Sequence, residues 1–92
     1  MVRLTEADRK HVAKFAAVVG EALEECPNAD ASTMLLFSAC AAASGDDFIP
    51  MGTFNRLLMA TGYKRTNRRY GARFVGLRPV NPDYQGRVYY HD

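Results

Sequence analysis

The chain has 92 residues, enough for one modest hydrophobic core and too few for a multidomain machine. With 48% apolar and 24% charged residues it is not a disordered composition, and no stretch approaches the roughly 20 consecutive apolar residues of a membrane helix. The net charge of +2 hides an asymmetry: residues 1–48 hold four basic and eight acidic side chains (−4), residues 49–92 eight basic and two acidic (+6). That split points to a basic face for an anionic partner.

Thr5-Glu6-Ala7-Asp8 opens the first predicted helix, with a threonine oxygen to cap the first turn and acids suited to the positive helix end. Val12, Phe15, Ala16, Val19, Leu23 and Cys26 continue one apolar stripe, so the spacing predicts a helix over 5–26, ended by Pro27-Asn28. The stripe either packs on the chain's own second helix or forms the seam of a homodimer. Cys26 and Cys40 are expected reduced and buried, as in a cytoplasmic protein.

Asp30 or Ser32 caps a second helix over 31–44, apolar nearly all round at Leu35, Leu36, Ala39, Cys40 and Ala43. Gly45-Asp46-Asp47 is a turn, Phe48-Ile49 an apolar anchor, and Pro50 suits the start of the next helix. Phe54, Leu57, Leu58 and Thr61 fall at i, i+3, i+4 and i+7, which predicts a third helix over 51–61, stopped by Gly62. Its other side carries Gly52, Asn55, Arg56 and Met59, flanked by Thr53.

Aromatic and β-branched residues around Asn67-Arg68-Arg69-Tyr70-Gly71 predict a β-hairpin over 63–78. In the tail, 79–92, Pro79 and Pro82 interrupt pairing, Asp83 to Gly86 reads as a turn, and Val88-Tyr89-Tyr90 as a short third strand. The expected fold is therefore α+β, one domain over 1–92: a winged helix-turn-helix with three helices, a hairpin wing and a short C-terminal strand.

From Arg56 to Arg78 the chain holds seven basic residues and no acid. Such a run suits nucleic acid, with the 51–61 helix as the recognition helix in the major groove and the wing on the backbone. The candidate contact residues are Thr53, Asn55, Arg56, Lys64, Arg65, Asn67, Arg68, Arg69, Arg73 and Arg78, of which the seven basic ones are expected to neutralise about four to six phosphates.

The helix-opening Asp30-Ala31-Ser32, the apolar Met34-Leu35-Leu36-Phe37, then Phe54, Leu57, Gly62-Tyr63-Lys64 and Gly76-Leu77 make residues 24–80 resemble the C-terminal winged-helix domain of phage and plasmid primase-helicases of the poxvirus type. The resemblance implies double-stranded DNA as partner and a role as a phage or plasmid regulator or replication accessory, in the cytoplasm of a bacterial host. The alternative is a protein-interaction module that grips a host or replisome protein through the basic wing and the apolar first helix.

Signatures of other chemistry are absent from the sequence. No phosphate-cradling glycine loop occurs, His11, Cys26, Cys40 and His91 lack metal-ligand spacing, and no nucleophile stands beside a base. The expectation is a non-enzymatic protein without cofactor or metal.

Overall fold

Thr5 caps the first helix as its sequence predicts. Its Oγ1 accepts from the Asp8 amide at 3.1 Å, and the Asp8 carboxylate accepts from the Thr5 amide at 3.0 Å, a reciprocal capping box. The computed structural model in which this is seen describes residues 3–45, 48–68 and 71–91, the side chains of Asn67 and Arg68 excepted. The predicted turn residues Asp46, Asp47, Arg69 and Tyr70 lie outside the described residues.

The elements in chain order are α1 (Glu6–Arg9), α2 (Val12–Ala22), β1 (Leu23–Ser32), α3 (Thr33–Ser44), α4 (Met51–Thr61), β2 (Lys64–Arg68), β3 (Gly71–Pro79), α5 (Pro82–Gln85) and β4 (Tyr89–Tyr90). The strands form one antiparallel sheet in the order β2-β3-β1-β4, so the fold is α+β.

The single helix expected over 5–26 is not formed. α1 stops at Arg9, α2 ends at Ala22, and Leu23 turns extended (φ −122°, ψ 153°) into a ten-residue strand. Leu23 and Cys26 keep a helical spacing, but Gly20 weakens the helix behind them and Pro27 bars Cys26 from helical backbone. Pairing of Leu23, Glu24 and Glu25 with Pro79, Arg78 and Leu77 of β3 then decides the outcome. Between Glu25 and Asp30 the register shifts, and this irregularity gives Pro27, which has no N–H to donate, a place inside a central strand. Opposite it on β3, Gly76 adopts φ +104°, and an added Cβ would meet the Tyr63 ring at 3.6 Å.

The second predicted helix is shorter at its start: Ala31 belongs to β1, and Ser32 caps α3 by accepting from the Leu35 amide at 3.1 Å. It is also not buried all round, since Met34 is 64% exposed. The third helix matches its predicted bounds. Gly62 ends it in the left-handed region (φ 109°), its N–H reaching back to the Leu58 and Met59 carbonyls, the conformation that glycine adopts without steric cost. The predicted hairpin is β2-β3. In the tail the expected turn is the short α5, and the last strand pairs with β1, Tyr89 opposite Asp30, not with the hairpin.

The core lies between the helices and one face of the sheet. Phe54 of α4 is its hub, fully buried and in edge-on contact with Phe15, Phe37 and Phe48 at centroid separations of 5.9, 5.5 and 5.7 Å, the geometry aromatic rings prefer. Leu36, Leu58, Phe74 and Leu77 complete it. Phe15 and Leu23 of the predicted dimer stripe are consumed here, while Val12 and Ala16 stay exposed. Cys40 is buried, and burial pushes its thiol up to about 12; Cys26 is only partly buried, and both are free thiols. Among the described residues no helix is long and apolar enough to cross a membrane.

Candidate nucleic-acid interface

Because Phe54, Leu57 and Leu58 turn inward, the 3.6-residue period turns Gly52, Asn55, Arg56 and Met59 away from the core. Gly52 is exposed, Asn55 and Met59 half-buried, and the Arg56 side chain 42% exposed. Asn55 makes one weak contact, Nδ2 to Met59 Sδ at 3.9 Å, and its Oδ1 has no partner. Thr53 departs from expectation: it is buried, and its hydroxyl donates to Asp8 Oδ1 at 2.8 Å.

The largest departure concerns the arginines. Arg56 donates Nε to Asp8 Oδ2 and Nη2 to Asp8 Oδ1, both at 2.8 Å. Arg73 donates Nε to Asp30 Oδ1 at 2.6 Å and Nη2 to the Asp30 carbonyl at 2.9 Å, with its guanidinium 5.0 Å from the Tyr89 ring centroid. Arg78 bonds Glu24 Oε2 through Nη2 at 3.1 Å and the Tyr90 hydroxyl through Nη1 at 3.1 Å. Each pair joins an acid of the N-terminal half to an arginine of the C-terminal half, so much of the charge asymmetry in the sequence is cancelled within the fold. Thr53, Arg56, Arg73 and Arg78 thus each hold a hydrogen bond to an acid of the same chain.

The electrostatics follow. The Arg56 hydrogen bonds, with the Thr5 amide behind them, hold the Asp8 carboxyl well below the usual carboxylate range against the opposing effect of burial, and Asp8 in turn raises Arg56. At Asp30 burial pushes upward, yet the hydrogen bonds from His91, whose Nε2 lies 2.9 Å away, and from Arg73 outweigh it and the net shift is down. Tyr90 and Glu24 raise Arg78. Tyr63 is raised by burial and by its 3.1 Å hydrogen bond to Glu25.

Lys64 and Arg65 on β2 remain: both are exposed, with no hydrogen-bond or ion-pair partner among the described residues. The side chains of Asn67 and Arg68 are not described, and Arg69 lies outside the described residues. Arg65 stands on the rim of an open groove of about 510 Å³ between α4, the start of α3 and the hairpin, lined also by Met34, Met51, Gly52, Asn55 and Ala72. The fold thus brings Asn55 and Arg65 together and sends Arg73 and Arg78 to the β1 and β4 side of the sheet. Sequence reasoning missed Met34, Met51 and Ala72, and it missed the acids that capture the arginines, because both arise from tertiary pairing. Among the described residues no three His, Cys, Asp or Glu side chains cluster to hold a metal ion.

No family model, no curated protein and no solved structure matches this chain.

Proposed function

We propose that the protein is a non-enzymatic DNA-binding domain of winged-helix type, which lays α4 in the major groove of duplex DNA and runs the β2-β3 hairpin along the adjacent backbone. The observation that carries this reading is the sorting of cations. Arg65, exposed on the hairpin and without a partner among the described residues, borders the face of α4 that carries Asn55 and no acidic side chain, and Lys64 beside it in sequence is likewise exposed, whereas Arg56, Arg73 and Arg78 of the same basic run are each bonded to an acid of the chain. The order of elements supports the winged-helix part: β1 falls between α2 and α3 and pairs with β3 of the hairpin that follows α4. The resemblance to primase-helicase C-terminal domains points the same way, to a phage or plasmid regulator or replication accessory in the cytoplasm.

With Arg56, Arg73 and Arg78 engaged, Lys64 and Arg65 are the cations of the run left for phosphates among the described side chains, and Arg68 and Arg69 of the same hairpin are proposed to join them. Fluorescence anisotropy with labelled random duplex and single-stranded DNA tests the reading. Duplex binding that heparin displaces, without nucleotide or metal, is expected; failure to bind duplex contradicts it.

A further inference from the structure

We infer that the protein reads A·T in preference to G·C base pairs, through Asn55 and the methionines beside it; this rests on the DNA-binding reading above. Guanine is normally read by the two-point donation of an arginine or lysine to O6 and N7. α4 holds one such residue, Arg56, and both Nε and Nη2 of its guanidinium are already bonded to Asp8, an acid fully shut from solvent. Reading guanine with it would strip a buried carboxylate of its partner, a change strongly opposed in a protein interior.

What α4 offers instead is an uncommitted amide in apolar surroundings. Asn55 spends nothing stronger than the 3.9 Å contact to Met59 Sδ, and Oδ1 is unpartnered, so turning the side chain toward DNA breaks no strong hydrogen bond. An asparagine amide matches the adenine N6 donor and N7 acceptor. Around it stand Met51, 36% exposed, Met34, 64% exposed, and Met59, flexible thioethers suited to packing on the thymine 5-methyl group. Gly52, between Met51 and Asn55 on the outward side, has no side chain to hold the helix away from the base edges. Arg65 at the rim of the same groove supplies the charge that an approaching phosphate strand needs.

The test compares the wild-type protein on three short duplexes of equal length: alternating A·T, the same with every thymine replaced by uracil, and alternating G·C. The uracil duplex lacks only the methyl groups of the major groove. Binding to A·T about fivefold or more tighter than to G·C is expected, with a loss of about fourfold on uracil replacement, the worth of roughly one buried methyl group. Asn55→Ala should level A·T with G·C, and Met51→Ala should shrink the thymine-over-uracil difference. Equal affinity for all three, or tighter binding to G·C, overturns the inference and leaves DNA binding standing. Absence of binding to any of them overturns both.

Discussion

The Arg56 guanidinium and the Asp8 carboxylate meet at two points, Nε to Oδ2 and Nη2 to Oδ1, each 2.8 Å. With the Thr53 hydroxyl and the Thr5 amide also donating to it, Asp8 joins the capping box of α1 to the flank of α4. The contact makes stability pH-dependent. Asp8 has its folded value depressed below the ordinary 3.8, so its contribution is complete above that pH and is lost as pH falls through the lower folded value. Urea denaturation of wild type and Asp8→Asn at a series of pH values should show wild type more stable at pH 7, with the gap closing only below about pH 3.8. A gap that closes between pH 7 and pH 5 would show that Asp8 is not held by Arg56.

Phe54 predicts the largest core effect. Phe54→Ala removes the ring that Phe15, Phe37 and Phe48 contact and should cost about 3–5 kcal/mol by chemical denaturation. A loss under 1 kcal/mol would place the core elsewhere.

Two glycines give opposite signs. Gly62 sits at φ +109° with open space around it, so Gly62→Ala should cost about 1–2 kcal/mol through backbone strain alone. Gly20, inside α2 and equally unobstructed, needs no such conformation, and Gly20→Ala should stabilise by roughly 0.5–1 kcal/mol. Thermal melts of both variants check the pair.

Arginines on the two sides of the molecule should separate in assay. Arg65→Ala should leave the melting temperature near wild type while weakening all duplexes alike and lowering the salt slope by about 1. Arg73→Ala leaves the nearly buried Asp30 carboxylate without its main cation and should cost on the order of 2 kcal/mol of stability. Equal losses of DNA affinity at equal stability would mean that both face the DNA.

Local chemistry was readable from the chain; long-range pairing was not. α4 was legible to its ends because an apolar period and a glycine cap are written in adjacent residues, and the Thr5 cap for the same reason. The break in the first predicted helix was hidden, since Leu23 and Cys26 fit a helix until Glu24 and Glu25 find β3. The capture of Arg56, Arg73 and Arg78 spans 48, 43 and 54 positions, so the basic run looked freer in sequence than it is in space. Of the candidate contacts whose side chains are described, Asn55, Lys64 and Arg65 keep polar groups not bonded to an acid of the chain, and the sequence held no mark that distinguished them from the rest.

The central claim is that the hairpin cations, not the whole basic run, meet the phosphates of duplex DNA. The affinity for a labelled random duplex, measured by anisotropy over a series of salt concentrations, tests it most directly. About three to four neutralised phosphates predict a log–log slope of roughly −3 to −4. A slope near zero would contradict DNA binding through these cations, and one of roughly −6 or steeper would contradict the engagement of Arg56, Arg73 and Arg78 within the fold.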